Sequence, residues 1–446
     1  MLRRPSARRH VALLLCITVV LLLALGQALR GRHAALAAGA IGGHSSASER
    51  GQGARARLRL EPAQIQVDAR GAYVARRGEG QAPLPLTIDA RVQRVAGEAL
   101  ARQNAPLGSV VVLGIEDGRV LALEGRRQAA PEAWAPELAL GAWAPAASVF
   151  KVVTAAALVA QGVTPETRVC YHGGLRSVEA TNLVPMPRLD TDCQTLAFGL
   201  AKSQNAILAR LAHDHLYGRL DNSASALGAG LERTARALGF GAALPFELPT
   251  TASQVSLPAE PLPFAQVAAG FWQTSLSPLH GAYLAAVIAR KGLDLPLHLA
   301  AEEPGEPGPE GQVSRVLDEH TAAAVGAMMV GTTRYGTARH GFHDRRGRAY
   351  LGDVEVAGKT GSLSGWQRIE DPQATASPTP THPEDRLLAY SWFVGYAPAD
   401  HPAVAIAVLL ANDRPWRRRA HELAREVLAA YFTAPAAAKP EVWARR

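Results

Sequence analysis

Hydrophobic and polar positions change their spacing along the chain and predict both helices and strands. The segment 85–103, PLTIDARVQRVAGEALARQ, repeats apolar residues at helical spacing behind Asp89, a suitable N-cap. The segment 108–125 alternates apolar and polar residues on either side of Asp117-Gly118, a pair that favours a tight hairpin. These patterns predict a helix followed by two antiparallel strands.

The middle of the chain is dominated by apolar helical segments. Residues 144–162 form a nearly continuous apolar run that ends at Gly162, a residue type that often terminates helices. Residues 196–213 and 264–291 have the same character. We therefore expect a cluster of buried helices between the first strands and the C-terminal part of the chain.

The C-terminal part returns to strand-like patterns. Residues 355–365, 387–398 and 403–413 are predicted strands, the polar proline-containing segment 370–385 is a predicted surface loop, and a helix is expected from about 416 to 432. Strands at both ends with helices between them predict an α+β fold, in which one antiparallel sheet packs against a helical cluster.

The N-terminus has the pattern of a membrane anchor. Basic residues precede a long apolar run without charges, which predicts one transmembrane helix in the cytoplasmic (inner) membrane with the rest of the chain outside, in the periplasm. Cleavage near the ALAA of 36–39 is the alternative. The predicted organisation is a basic cytoplasmic tail (1–10), an anchor (11–29), a tether with a small preamble (30–84), the main domain (85–435) and a short tail (436–446).

Charge and composition narrow the possible functions. The formal net charge is +8, but the positive residues are scattered, so nucleic acid is not an expected partner. The dense basic run 414–425 is interpreted as a solvated helix face first and a contact with acidic lipid second. The sequence contains neither a C-x-x-C nor an H-E-x-x-H pattern, so we predict no metal and no cofactor.

Two cysteines are candidates for a disulfide. Cys170 and Cys193 are 23 residues apart in a part of the chain that is predicted to be exported. Closing that loop would stabilise the fold by about 3 kcal/mol. The alternative is a pair of buried free thiols.

The apolar run 144–162 holds one serine and one lysine, three residues apart. In a helix, Ser148 and Lys151 share a face. A neutral lysine can take the proton of a serine, but its pKa must first fall from about 10.4 to near 7. Burial and a second cation nearby both act in that direction. A lone S-x-x-K tetrad also occurs by chance, with the lysine reaching out to solvent.

Two further short motifs follow in the chain. Ser203-Gln204-Asn205 lies in an apolar helical context, and Lys359-Thr360-Gly361 lies on the predicted strand 355–365. Each alone is compatible with a helix cap or a strand-end turn. Glycine at 361 would allow a substrate backbone to approach closely. The three motifs in this order, behind an export segment, indicate one active site.

The motifs resemble those of the penicillin-binding proteins, the serine D,D-transpeptidases of bacterial cell-wall synthesis. The resemblance covers about 85–432 and includes the segments ASVFKVVTAAAL, GTTRYGTARHG and AGKTGS. It implies that Ser148 attacks a D-Ala-D-Ala stem peptide to form an acyl-enzyme, while Lys151 accepts its proton. It implies that Ser203 relays a proton to the leaving amine, and that Asn205 binds the substrate amide and Lys151.

The same resemblance assigns roles on the last motif. Lys359, Thr360 and Ser362 would bind the substrate carboxylate, and Lys359 would also lower the pKa of Lys151. The backbone N–H groups of Ser148 and Ser362 would form the oxyanion hole. Ser362 stands where threonine is common in the family, which keeps the hydroxyl.

The resemblance leaves several functions open. We expect a peptidoglycan D,D-transpeptidase that β-lactams inhibit covalently. A D,D-carboxypeptidase or a serine β-lactamase is the alternative, and a non-catalytic wall-complex scaffold or β-lactam sensor is more remote. Two features disfavour a β-lactamase. No Glu-x-x-x-Asn segment lies between Ser203 and Lys359, and Asn205 is unlike the residue of the oxacillinase pattern. Residues 30–83 are too few for a glycosyltransferase domain. The expected partners are stem peptides, β-lactams, the cytoplasmic membrane and other wall-synthesis proteins.

Overall fold

The computed structural model describes residues 58–217, 229–301, 313–371, 374–413 and 418–433, which belong to one compact unit that starts at Leu58. The predicted cytoplasmic tail, the anchor 11–29, most of the tether and the C-terminal tail lie outside these residues. No helix within the described ranges combines the length and the apolar character that a membrane span requires.

A five-stranded antiparallel sheet forms the centre of the fold. Its strands are β4 (Leu107–Gly114), β5 (Val120–Arg127), β8 (Ala357–Gln367), β9 (Arg386–Ala397) and β10 (Val404–Asn412), in the order β5-β4-β10-β9-β8. Every residue of the central strand β10 is buried, because helices cover both faces of the sheet. The hairpin predicted at Asp117-Gly118 joins β4 to β5. The α+β architecture predicted from the hydrophobic pattern is confirmed.

Helices account for most of the remaining structure. In chain order they are α1 (Ala90–Gln103), α2 (Glu137–Leu140), α3 (Lys151–Ala160), α4 (Ala180–Leu183), α5 (Leu196–Lys202), α6 (Asn205–Leu216), α7 (Ala229–Ala237), α8 (Pro261–Ala268), α9 (Pro278–Ala289), α10 (Glu319–Arg334), α11 (Arg339–Phe342) and α12 (Ala420–Phe432). Short 3-10 segments occur at Pro62–Gln64 and Ala147–Phe150.

The two faces of the sheet bury different helices. Helices α1 and α12 cover one face, where Val110, Val408 and Leu423 belong to one apolar cluster. Helix α9 covers the opposite face, together with the helical cluster around α3. This is the arrangement that alternating side-chain directions in β4 and β10 require. Asp89 caps α1 as predicted, because its carboxylate accepts hydrogen bonds from two backbone N–H groups at 2.9 and 3.0 Å.

The segment ahead of residue 85 packs onto this core. It forms a small sheet of β1 (Ile65–Val67), β2 (Tyr73–Ala75) and β3 (Leu84–Pro85). Leu60 and Leu84 are buried in the same apolar cluster as the helices around α3. The described part of the preamble is therefore packed structure rather than extended chain.

Two mostly apolar segments, each predicted to be helical, are interrupted in the structure. The run 196–213 is divided into α5 and α6, because Ser203 adopts a left-handed backbone with φ of 56°. The run 264–291 is divided into α8 and α9 by the loop 269–277. Both interruptions lie at the site described next.

A third sheet carries the two predicted cysteines. Strands β6 (Arg168–Tyr171) and β7 (Asp192–Thr195) pair in antiparallel register, with Cys170 opposite Cys193. Their sulfur atoms are joined in a disulfide. Along the chain, helix α4 and its flanking loops connect these two strands.

Candidate active site

Ser148 lies in the 3-10 segment that leads into α3 and is half-buried. The residue before it, Ala147, has a left-handed backbone with φ of 49°. Gly270 approaches this segment so closely that a Cβ on it would lie 2.4 Å from the carbonyl oxygen of Ala147. Glycine at 270 thus allows the loop after α8 to press against the backbone of Ser148.

Lys151 is the first residue of α3 and is fully buried. Its Nζ atom lies 2.8 Å from Ser148 Oγ and 2.7 Å from Asn205 Oδ1, and it also donates to the carbonyl oxygen of Ala269. Burial lowers the pKa of Lys151 well below its ordinary value, and the charge of Lys359 lowers it further. The surroundings therefore favour the neutral amine, which is the form that can act as a base.

The interruption between α5 and α6 positions the second motif. Because the chain turns at Ser203, Asn205 begins a new helix and directs its amide at Lys151. The Nδ2 group of Asn205 donates to the carbonyl oxygen of Leu175 at 3.0 Å. Ser203 Oγ accepts a hydrogen bond of 2.9 Å from Lys359 Nζ, on the other side of the site.

Lys359 lies on β8, the last strand of the sheet. Its side chain is fully buried, and its Nζ atom also donates to the carbonyl oxygen of Thr360 at 2.8 Å. Burial lowers the pKa of Lys359 to about 7. This lysine can therefore be charged or neutral near physiological pH.

The three residues after Lys359 continue along β8 toward solvent. Thr360 is half-buried and its hydroxyl hydrogen-bonds to that of Thr337, whereas Ser362 is exposed. A Cβ on Gly361 would lie 3.1 Å from Trp392 and 3.2 Å from Val149, the residue after Ser148. Glycine at 361 thus brings β8 against the segment that carries Ser148.

A family model, the penicillin-binding protein transpeptidase domain, matches residues 108–432. The chain belongs to this family. A curated relative, the peptidoglycan D,D-transpeptidase PbpA of Mycobacterium tuberculosis (strain ATCC 25618 / H37Rv), is 25% identical over 361 residues, which cover 73% of this chain and 66% of the relative. The chain therefore spans just under two thirds of the length of the curated relatives it matches.

Solved structures of the family share the fold. Penicillin-binding protein A from M. tuberculosis, as an imipenem acyl-enzyme complex, has a TM-score of 0.57 at 23% identity, covering 78% of this chain and 79% of that chain. The transpeptidase domain of Burkholderia pseudomallei penicillin-binding protein 3, without ligand, has a TM-score of 0.59 at 18% identity, covering 80% and 97% respectively.

The transpeptidase fold brings the three predicted motifs together, and it adds groups that sequence reasoning missed. Two are main-chain carbonyls, those of Ala269 and Leu175, which contact Lys151 and Asn205 respectively. The third is Thr337, whose hydroxyl meets Thr360 and whose N–H donates to Ala201 O at 3.1 Å. The only signal for Thr337 is its place in GTTRYGTARHG, a segment typical of the penicillin-binding proteins. In the described part of this family member, no group of three or more His, Cys, Asp or Glu residues could hold a metal ion.

Proposed function

We propose that this chain is a peptidoglycan D,D-transpeptidase, which forms an acyl-enzyme on Ser148 and reacts covalently with β-lactams. The observation that carries this proposal is the 2.8 Å contact between Ser148 Oγ and Nζ of the fully buried Lys151. Family membership supports it, as does the name of the M. tuberculosis relative, a D,D-transpeptidase. A related structure holds imipenem as an acyl-enzyme.

The hydrogen bonds of Lys151 direct its lone pair at the nucleophile. A neutral amine has two hydrogens and one lone pair. Asn205 Oδ1 and Ala269 O each accept a hydrogen bond from one of the two N–H groups, so the lone pair is left facing the hydroxyl of Ser148. Ser148 Oγ then attacks the carbonyl carbon of the penultimate D-alanine while its proton passes to Lys151.

The second serine serves the leaving group. When the tetrahedral intermediate collapses, the bond to the terminal D-alanine breaks and its nitrogen needs a proton. Ser203 supplies that proton, and Lys359, 2.9 Å from its hydroxyl, restores it or stabilises the resulting charge. An amine of a second stem peptide then attacks the ester carbonyl in the reverse sequence, which releases Ser148 and forms the cross-link.

The exposed end of the β8 motif binds the substrate. The terminal carboxylate meets Lys359 and the hydroxyls of Thr360 and Ser362, and the peptide lies along β8 in the manner of an added strand. The N–H groups of Ser148 and Ser362 face the oxyanion. Donors of this kind contribute about 3–4 kcal/mol each to transition-state stabilisation.

The proposed setting is the outer side of the cytoplasmic membrane. The apolar segment 11–29 behind basic residues supports a single-pass anchor, and the Cys170–Cys193 disulfide is typical of an oxidising compartment such as the periplasm. Other wall-synthesis proteins are partners consistent with that location.

The test uses the full chain and a fluorescent penicillin. The label should map by mass spectrometry to Ser148 and disappear in Ser148→Ala. Supplied with a pentapeptide and an amine acceptor, the chain should release D-alanine and form the new amide. Products of hydrolysis alone would identify a carboxypeptidase. A label that remains unchanged in Ser148→Ala, or no label at all, would contradict the proposal.

A further inference from the structure

The orientation of the Asn205 amide decides where the lone pair of Lys151 points. With Oδ1 toward Lys151, as observed, Asn205 accepts a hydrogen bond from the amine. With the amide reversed, its N–H would point at Lys151 and compete with Ser148 for the lone pair. The carbonyl oxygen of Leu175 prevents this reversal, because it accepts a hydrogen bond from Nδ2 at 3.0 Å.

Leu175 contributes little packing of its own to hold its carbonyl in place. The residue is 68% exposed and lies outside the strands, in the connection between β6 and α4. Gly174 beside it has φ of 68° and rests on Ala206, where a Cβ would lie 2.3 Å from the Ala206 Cβ. The loop therefore touches α6 one residue after Asn205, and glycine makes that contact possible.

An ion pair between α6 and the disulfide hairpin fixes the rest of this loop. Arg210, on α6 and 3% exposed, forms two hydrogen bonds with the carboxylate of Asp190, at 2.8 and 3.3 Å. The guanidinium also donates to three main-chain carbonyls, those of Cys170 on β6, Asn182 within α4 and Val184 just after it. A bidentate pair of this kind fixes geometry as well as charge.

Asp190 extends the same network to the loop that carries Leu175. Its carboxylate lies 2.6 Å from Nδ1 of His172 and accepts a 2.8 Å hydrogen bond from the N–H of Met186. The carbonyl oxygen of His172 accepts a further bond from Asn182 at 3.0 Å. The Arg210 guanidinium holds the pKa of Asp190 well below its usual range, so the carboxylate stays charged.

We propose that Arg210 and Asp190 are positioning residues, which hold the loop 172–175 on α6 so that the Leu175 carbonyl keeps the Asn205 amide turned toward Lys151. This inference rests on the proposed role of Lys151 as the base for Ser148. Neither Arg210 nor Asp190 touches the nucleophile or the base. They act through one main-chain carbonyl and one side-chain amide.

The first test displaces the Leu175 carbonyl by adding one methyl group to the residue before it. Gly174→Ala places a Cβ against Ala206 and displaces Leu175, whereas Gly71→Ala is a matched control. Gly71 has φ of 81°, so alanine there carries a similar backbone strain, but no atom lies within 4 Å of the added Cβ. Acylation of the full chain by penicillin is measured by stopped flow and separated into a binding constant and a maximal rate.

The expected result is a maximal acylation rate reduced by about 10- to 100-fold in Gly174→Ala, with a smaller change in the binding constant. Gly71→Ala should acylate like the wild type. Asp190→Asn should repeat the Gly174→Ala result. Because Asp190→Asn leaves Arg210 buried without a charged partner, His172→Ala is measured beside it, since that variant keeps the ion pair and should also slow the maximal rate.

The outcomes separate this inference from the proposed function. A wild-type chain that penicillin does not label overturns the proposed function and the inference with it. A labelled wild type with equal rates in Gly174→Ala and Gly71→Ala overturns the inference alone. Slow acylation in Gly174→Ala with normal rates in both Asp190→Asn and His172→Ala overturns the role of the ion pair.

Discussion

Lys151 and Lys359 are both fully buried, and each contacts a different serine, Ser148 at 2.8 Å and Ser203 at 2.9 Å. Burial lowers both pKa values, and the charge of Lys359 lowers that of Lys151 further. Two ammonium groups so placed are unfavourable, so the site favours one neutral and one charged lysine. That division provides a base for one serine and a cation for the other.

The first prediction concerns the pH dependence of acylation in Lys359→Ala. Acylation requires neutral Lys151, so its rate rises with pH through the Lys151 pKa. Removing the charge of Lys359 takes away one cause that lowers this pKa, and the rising limb should move to higher pH. The effect should be largest below about pH 7, where Lys359 is charged in the wild type.

The measurement is the acylation rate constant as a function of pH. Each variant's profile is scaled to its own maximum, so that a loss of carboxylate binding does not affect the comparison. Lys359→Arg keeps a cation and serves as the control, and its rate should rise with pH over a range closer to that of the wild type. A rising limb at the same pH in Lys359→Ala and the wild type would remove the electrostatic role of Lys359 and leave only substrate binding.

The second prediction concerns Lys151→Met, which keeps much of the side-chain volume but removes the amine. Acylation should fall by about 100- to 10,000-fold, because Ser148 loses its general base. Lys291→Met is the control, since that lysine is 67% exposed and lies at the end of α9. Acylation by Lys151→Met at more than a tenth of the wild-type rate would show that another group takes the proton.

The third prediction concerns the lifetime of the penicilloyl adduct. Among the described residues, the hydrogen-bond partners of Lys151 are a serine, an asparagine and a main-chain carbonyl, and none is a carboxylate that could activate water. Deacylation should therefore take many minutes to hours. A half-life of about one hour corresponds to a barrier of roughly 22 kcal/mol.

A chase with unlabelled drug after labelling gives this lifetime directly. Release of hydrolysed penicillin at many turnovers per second would favour the β-lactamase alternative. The Glu166→Gln variant is a suitable control, because Glu166 lies on the loop ahead of β6 and should leave the lifetime unchanged.

The fourth prediction concerns the disulfide. Replacing both Cys170 and Cys193 with alanine should lower the free energy of unfolding by about 3 kcal/mol, because the unfolded chain regains the freedom of a 23-residue loop. Denaturant unfolding of the full chain measures this, with Cys16→Ala as the control. In the denatured but unreduced wild type, one cysteine of three should react with an alkylating reagent. Three reactive thiols would contradict the bond.

Much of this fold is visible in the sequence. The hairpin at Asp117-Gly118 and the strands β8 to β10 follow from alternation and turn chemistry. Asp89 predicts the start of α1, since its carboxylate can cap only an N-terminus. These elements are local, so short stretches of chain contain the physical cause of each.

The interruptions at the site are not visible in the same way. The run 196–213 is mostly apolar, and its polar residues 202–205 do not by themselves specify the left-handed backbone of Ser203 that separates α5 from α6. The carbonyls of Ala269 and Leu175 could not be predicted either, because every residue has a carbonyl. Which of them faces a lysine or an amide depends on packing between distant segments.

The contacts made by the main-chain oxygens of Ala269 and Leu175 bear on β-lactam resistance. A substitution at either position changes the side chain but leaves the carbonyl oxygen present. Gly270 and Gly174 beside them determine where those oxygens lie, and a larger side chain at either glycine collides with neighbouring main-chain atoms. Under the proposed function, a mutation that displaces them should impair wall cross-linking along with sensitivity to the drug. Mutational escape is therefore expected at side chains that line the cleft without holding Lys151 or Asn205.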